Sequence, residues 1–538
     1  MHLDLHDHQA PEALLTEVCI VGGGAAGITA ARRLLELGRT VVLLESGGLD
    51  YEKSVASLNA GENVGETYYP LEESRLRFFG GTTAIWGGRL AELDPVDLER
   101  RDWVPNSGWP ISWAELARYY EPARRIFGAP EAGATTADLA AAGAPLPAFD
   151  SERLEIGVWI FDRRFDRFVF DACSDLVNHP RCTIVTHATV TNIALDRGGQ
   201  AVRRLHARAL TGRRLTVTAQ AFLLAAGGLE NPRLLLASND VAPRGIGNHY
   251  DQVGRYFMEH PHARGGRIVG ASAWALLKAF GRSHVVGRRE LAGLVKPSRR
   301  VQAERRILNS SLTIAARQRA DAAPNWGMQA YTSLKHSMAP TRHGRTLWKL
   351  TKKTATWAQR RIDPLRPWLL HRAGLRDLAL LVRAEQSPNP MSRVILTDQR
   401  DELGVPRIAL DWRMTRLDVE SVAGLVATLD EELRRLGLGR VRPAEWLADA
   451  DAGWRTDPLI SAHPIGGYHH MGTTRMSDDP HQGVVDSVGR VHGVENLYVL
   501  GSSVFPTSGW ANPTLTIAAL TLRTVDRLEA RLARARAA

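Results

Sequence analysis

Glu17-Val18-Cys19-Ile20-Val21-Gly22-Gly23-Gly24-Ala25-Ala26-Gly27 decides the fold of this chain, together with the residues from Ile28 to Gly48. Residues 17–21 form a short apolar run rich in β-branched side chains, the composition of a buried parallel strand. A G-x-G-x-x-G pattern comes directly after it. Ile28 to Leu37 has helical composition and stops at Gly38, a suitable C-cap. Thr40 to Leu44 is a second apolar strand, and it ends in Glu45, eighteen residues after Gly27. Each part has a physical task. Gly22 permits a tight turn, Gly24 lets backbone approach a pyrophosphate, and Gly27 lets helix and strand pack closely. The helix N-terminus offers unpaired N–H groups and the positive end of its dipole to phosphates. Glu45 is placed to accept hydrogen bonds from ribose hydroxyls. A lone glycine pattern is weak, but strand, glycines, helix, strand and terminal acid in this order define an adenine-dinucleotide site. The unit does not by itself separate NAD from FAD.

Three further motifs extend outward. Phe79-Gly80-Gly81-Thr82-Thr83-Ala84-Ile85-Trp86-Gly87-Gly88-Arg89 interleaves glycines with hydroxyls, suiting a loop whose backbone lies against a flat ring or phosphates. Ala221 to Gly228 reads as a buried strand ending in small residues, with a helix start at Leu229-Glu230-Asn231-Pro232. Near the C-terminus, residues 496–500 read as a strand and Gly501 to Pro506 as a loop. Asn512-Pro513-Thr514 then opens an amphipathic helix through Leu528, its proline where a helix start tolerates one.

With Leu43-Leu44-Glu45-Ser46-Gly47-Gly48 and His469-His470-Met471-Gly472-Thr473, this ordered set resembles the glucose–methanol–choline (GMC) oxidoreductase superfamily, nearer its pyranose-oxidase and sugar-dehydrogenase branch. The resemblance covers residues 15–130, 180–265 and 385–530. It implies FAD as cofactor and an alcohol as hydride donor. The implied fold is α/β (α+β overall): a Rossmann-like FAD-binding domain built from discontinuous segments, and a substrate domain with a largely antiparallel sheet and helices. The expected division is 1–263 for the FAD domain, with 131–180 an excursion to the substrate side. The substrate domain is expected over 264–460, and 461–538 returns to the FAD domain with the active site. The expected cofactor contacts are Gly22, Gly24, Ala26 and Gly27, then Glu45 and Ser46, then Gly81, Thr82, Thr83, Trp86, Gly87 and Gly88. Val190, Ala226, Gly227, Gly501, Ser502, Asn512, Pro513 and Thr514 complete them.

Oxidising an alcohol needs a base for the hydroxyl proton and an acceptor for the carbon-bound hydride; the flavin supplies the acceptor through N5. A histidine suits the base. Adjacent histidines in an extended chain point to opposite faces, and the family spacing of His three residues before Gly-Thr selects His469. The family's partner position falls on Asn512, which orients the hydroxyl or stabilises an alkoxide. His470 and Trp510 are candidate substrate contacts. Some relatives join FAD covalently through a histidine in the glycine loop; Ile85 stands at that position, so a non-covalent FAD is expected. Gly254 to His262 leads out of the nucleotide domain and reads as structural, the alternative being that its histidines approach the active site, and no metal spacing is present.

The chain has 538 residues, too many for a single core. Its 44% hydrophobic and 23% charged residues place it among globular proteins. Cys19, Cys173 and Cys182 form no disulfide framework or zinc pattern. The first ten residues lack the features of a signal peptide. A cytoplasmic location is expected, either free or peripheral to a membrane. The net charge of +10 is accompanied by no nucleic-acid-binding module. A basic insert, 335–383, mixes Arg342, Arg345, Lys349, Lys352, Lys353, Arg360, Arg361 and Arg366 with Trp348, Trp357, Trp368, Leu369 and Leu370. It suits a helix capping the substrate pocket, the reading favoured from sequence, and also an interfacial helix at a membrane or partner. The expected activity is FAD-dependent oxidation of the alcohol of a sugar or glycosylated small molecule, with dioxygen or an external carrier taking the electrons. The alternatives are a flavin subunit of a membrane- or partner-associated dehydrogenase, and an enzyme for a non-sugar alcohol.

Overall fold

The computed structural model describes residues 1–130, 132–162, 164, 166–270, 272–322 and 341–537, without the side chains of residues 348, 349, 352, 353, 355, 356, 358–360 and 535–537. The opening motif folds as its spacing predicts. Strand Ala13–Val21 leads through Gly22-Gly23-Gly24 into helix Ala25–Glu36, and strand Val41–Leu44 lies parallel to the first, with Val18 opposite Val41 and Val21 opposite Leu44. Gly22 has φ +108°, and a Cβ there would lie 2.6 Å from the Ala225 carbonyl oxygen. A Cβ on Gly27 would lie 1.9 Å from the Gly22 carbonyl oxygen, so only glycine lets the helix sit this close to the turn.

Around this unit runs a sheet in the order His2–Asp4, Cys182–Thr186, Val41–Leu44, Ala13–Val21, Arg214–Leu224, Val202–Arg208, Thr189–Leu195. The first five strands are parallel and the last two antiparallel; Leu497–Val499 adds a further parallel pairing to Arg214–Leu224. The long C-terminal helix, Thr514–Ala537, returns here, and Arg39 holds it by pairing with Glu529 and Glu17.

The second sheet is antiparallel throughout: Arg440–Pro443, His262–Val269, Arg376–Arg383, Ser311–Gln318, Arg289–Pro297, Leu154–Phe161, Arg89–Leu90. One face is apolar. Val295, Leu312, Ile314, Leu380 and Val382 pack there with Val422, Leu425 and Leu429 of helix Arg416–Arg435. Strand alternation puts Trp159, Thr313, Arg317, Leu381, Arg383 and His262 on the opposite face. A small third sheet joins Arg393–Arg400 and Pro406–Asp411 to Gly61–Asn63.

The basic insert is helical over Arg342–Ile362 and Leu365–Arg372. Its expected extent needs a correction at the end: residues 376–383 are a central strand of the second sheet, because Leu378, Leu380 and Val382 alternate into the core. Lys335 to Pro340, and the side chains of Trp348, Lys349, Lys352, Lys353 and Arg360, fall outside the described residues. Arg345 docks the start of the long helix through Asp50 at 3.0 Å and over the Phe78 ring.

Candidate active site

The dinucleotide site lies at the carboxyl ends of the parallel strands. The Gly23 N–H donates to Glu45 Oε2 at 2.7 Å and the Gly47 N–H to Oε1 at 3.0 Å, so the buried Glu45 braces both glycine turns. Burial pushes its carboxyl above the usual range. Gly24 is the N-cap of helix Ala25–Glu36, and the first turn contains no acid and no side-chain cap. Its leading N–H groups are thus left for an anion. A Cβ on Gly24, Gly227 or Gly501 would meet nothing within 4 Å, which marks an open trough along the strand ends. Ser46 Oγ bonds Thr189 Oγ1 at 2.7 Å, Thr83 Oγ1 donates to the Gly80 carbonyl, the Ala226 N–H donates to Asn231, and Ser502 Oγ donates to the His470 carbonyl. Val190 is buried within strand Thr189–Leu195 of the same sheet, and Trp86 tilts against Phe127 with ring centres 5.7 Å apart. Trough, N-terminus and acid together fit FAD.

The histidine pair follows a left-handed residue, Tyr468 at φ +60°. His469 and His470 then diverge. His470 is buried against Tyr68, its Nε2 3.0 Å from the phenol oxygen. The Tyr68 hydroxyl donates to Glu259, so His470 Nε2 donates to Tyr68. Burial takes the His470 pKa down to about 3. His469 is packed over Gly467, where a Cβ would fall 2.6 Å from the ring.

Four hydrogen bonds fix the state of His469. His260 Nε2 faces two carbonyl oxygens, Gly509 at 2.8 Å and Ser508 at 3.4 Å. Carbonyls only accept, so His260 Nε2 carries its hydrogen. Burial keeps this ring neutral, with a pKa down to about 4, and its Nδ1 is therefore a bare acceptor. His469 Nδ1, 2.8 Å away, must donate to it. The lone pair of His469 is thus on Nε2, where the Asn512 amide donates at 3.3 Å. Burial, with His260, His262, His470 and Arg89 nearby disfavouring any further positive charge, holds the His469 pKa well below its ordinary value. Glu259 fixes the backbone beneath: it accepts the N–H groups of His260, Gly467 and His469 as well as the Tyr68 hydroxyl. Burial raises its pKa to about 7.

The structure thus brings His469 and Asn512 together, separates His470 from them, and adds His260 and Glu259. The run 259–262 was legible in the sequence, yet nothing local distinguishes a structural histidine from one set against His469. Trp510 is buried, its N–H donating to Asp94 at 2.8 Å and its ring 6.4 Å from Trp159. Although no metal spacing is visible in the sequence, Asp4, His6 and His187 place ligand atoms within 4.8 Å of one another. His187 there bonds Asp4 through Nδ1 and Glu52 through Nε2, both at 2.7 Å. Burial opposes its charge, but the two carboxylates raise its pKa, which makes this an ion-pair clasp.

The chain is similar to known proteins in sequence and in fold. The FAD dependent oxidoreductase family matches residues 17–290 and the GMC oxidoreductase family residues 388–521. The 6'''-hydroxyparomomycin C oxidase of Streptomyces lividus is 26% identical, covering 97% of this chain and 93% of its own length. The paromamine 6'-oxidase of Streptomyces fradiae is 27% identical, covering 94% and 90%. Among solved structures, pyridoxine 4-oxidase from Mesorbium loti superposes with a TM-score of 0.56 at 19% identity, over 95% of this chain and 99% of that one, a likeness of fold. The chain belongs to the GMC oxidoreductases, FAD-dependent enzymes that oxidise alcohol groups. No helix among the described residues is long and apolar enough to cross a membrane.

Proposed function

We propose that this enzyme oxidises the alcohol of a sugar or glycosylated small molecule, with His469 as the base and Asn512 as its hydrogen-bonding partner. The observation that carries the reading is the chain from Gly509 O through His260 to His469, which leaves the His469 lone pair on Nε2 beside the Asn512 amide. Oxidation of CH–OH to C=O releases one proton from oxygen and one hydride from carbon. His469 Nε2 takes the proton. Asn512 Nδ2 donates to the substrate oxygen as it gains negative charge. FAD, when bound, supplies the two-electron acceptor for the hydride. Gly22 to Gly27 and the start of the C-terminal helix hold it, and Ile85, which offers no nucleophile, leaves it non-covalent. The sugar assignment draws on the names of the two Streptomyces relatives.

The test is anaerobic flavin reduction. His469→Ala is expected to slow bleaching by about 10²- to 10⁴-fold, while acid precipitation releases free FAD from variant and wild type alike. Wild-type bleaching by His469→Ala would refute the assignment of the base.

A second reading concerns helix Arg342–Ile362. Leu347, Leu350 and Trp357 are 51–61% exposed and share one face. The helix has seven Lys or Arg and no acid. We propose that it docks the enzyme on an anionic bilayer surface.

A further inference from the structure

The second sheet turns one face to helix Arg416–Arg435 and the other away from that core. On this second face lies a group of cations that have no carboxylate partner among the described residues. Arg383 is opposite His262 on the neighbouring strand, and the same strand alternation places Arg317 on the face of Arg383. Arg89 is opposite Phe161, two residues beyond Trp159. The Arg383 guanidinium lies 5.0 Å from the Trp159 ring centre and that of Arg89 5.3 Å, with Arg89 also 5.4 Å from Phe161. Among the described residues, the Nε atoms of Arg89 and Arg317 and the Trp159 indole nitrogen are buried without a hydrogen-bond partner. Arg383 has one long bond, to Thr313 Oγ1 at 3.3 Å.

Among the described residues no carboxylate lies within ion-pair distance of Arg89, Arg317 or Arg383. Three other buried arginines have such partners, Arg101 with Glu385, Arg233 with Asp401 and Arg264 with Asp457, and buried Arg475 donates to the Asn106 carbonyl. A guanidinium does not give up its proton in a protein, and gathering several in a buried site is unfavourable without an anion. Burial, then repulsion by Arg376, Arg89 and Arg264, lowers Arg317 to about 10; burial, then Arg89 and Arg317, lowers Arg383 below the usual arginine range; for Arg89 burial alone lowers it, opposed by Glu290. The cluster is also next to the reaction centre. The charge of Arg89 bears on His469, and that of Arg383 on His260 and His262. The FAD phosphates already have a place at the N-terminus of helix Ala25–Glu36, on the other sheet.

We propose that the alcohol oxidised here carries an oxyanion, a carboxylate or a phosphoryl group, and that Arg89, Arg317 and Arg383 bind it while its hydroxyl meets His469. The guanidinium fork matches either oxyanion. Trp159 lies under the guanidinium groups of Arg89 and Arg383 and offers its own N–H. The substrate is therefore opposite in charge to the amine-bearing paromamine named for a relative. This inference rests on the alcohol-oxidation reading above for the identity of the site, but not for the binding of the anion.

The experiment uses the holoenzyme in two arms. In the first, D-glucose, D-glucuronate, D-glucose 6-phosphate and paromamine are compared for anaerobic flavin bleaching. One of the two anions is expected to give a kcat/KM at least about tenfold above that of glucose, about 1.4 kcal/mol. Which anion prevails distinguishes carboxylate from phosphoryl. Arg383→Gln and Arg317→Gln are each expected to lower the ratio of anion to glucose at least about tenfold, mainly through KM. The second arm needs no turnover: glucuronate and inorganic phosphate are titrated while the melting temperature is read. A saturable rise is expected in wild type and is lost in both variants. Without ligand, both variants are expected to melt above wild type, because each removes repulsion; a merely structural arginine would give the reverse. Preference for glucose or paromamine overturns the proposal. So does an anion response that survives in Arg383→Gln, or a variant whose one effect is a shifted flavin midpoint potential. If no alcohol bleaches the flavin but the arginine-dependent thermal response persists, the oxidation reading fails and the anion site stands.

Discussion

At the scale of single residues, the proposed chemistry depends on which nitrogen of His469 holds a hydrogen. A lone imidazole in water exchanges between tautomers, whereas His469 is fixed by His260, itself fixed by two carbonyls. In the proposed chemistry His260 acts as a positioning residue, and replacing it should harm the rate while FAD remains bound. His260→Ala is expected to slow flavin reduction by about 100-fold, and His260→Gln, which keeps both an acceptor and a donor, by about tenfold or less. Equal losses in the two variants would show that His260 only fills space. The pH profile is a companion readout. The His469 pKa lies well below 6.5, so its basic form is present above that lowered value and is lost only as pH falls through it. The rate of flavin reduction in wild type is therefore expected to stay level down to about pH 6. A midpoint near 6.5 would contradict the environment described for His469.

At the scale of elements, the turn after Ala13–Val21 and helix Arg342–Ile362 show two ways in which sequence pattern becomes structure. In the turn, backbone contact dictates the residue: only glycine fits at 22 and 27. In the helix, the pattern is amphipathic but the apolar face is turned outward. Leu347, Leu350 and Trp357 are exposed, and Arg361 lies 4.8 Å from the Trp357 ring centre. If that face meets an anionic bilayer, the holoenzyme should co-sediment with phosphatidylserine-containing vesicles but not with phosphatidylcholine vesicles. Leu350→Ser with Trp357→Ser should lower the bound fraction several-fold, since burial of each apolar side chain at the interface contributes about 1.5–3 kcal/mol. Equal sedimentation with both vesicle types, or a wild-type dimer that these substitutions dissociate, would count against membrane docking. The strand after this insert explains the misplaced boundary: Arg376 and Arg383 flank a short apolar run that reads as part of a basic helix until neighbouring strands pair with it.

At the scale of the whole molecule, segments distant in sequence close the dinucleotide domain from both ends. Arg39 joins Glu17 to Glu529 near the C-terminus. At the other end His187 clasps strand His2–Asp4 to Glu52, and the His6 ring stacks on it at 3.9 Å. The folded-state pKa of His187 is raised, so its contribution to stability is fully present below the unfolded value of about 6.5 and is lost as pH rises through the raised value. His187→Phe is therefore expected to lower the melting temperature more at pH 6 than at pH 9. A difference that is constant across that range would dismiss the charged clasp.

What the sequence determined by itself was local. The glycines at 22, 24 and 27 work within a turn and one helix, and Glu45 stands at the end of the adjoining strand, so spacing alone specifies the dinucleotide unit. His469 and Asn512 were legible because they stand in short runs of fixed spacing, as a family resemblance requires. The remainder depended on pairing between distant strands. His260 and His469 are 209 residues apart, and their bond exists because Met258 and Met471 pair across antiparallel backbone. Arg89, Arg317 and Arg383 come from three separate strands, and which face each occupies depends on sheet register, where a shift of one residue would reverse every side chain. Tertiary structure alone therefore decided the tautomer of His469 and the gathering of three arginines on one face of the second sheet.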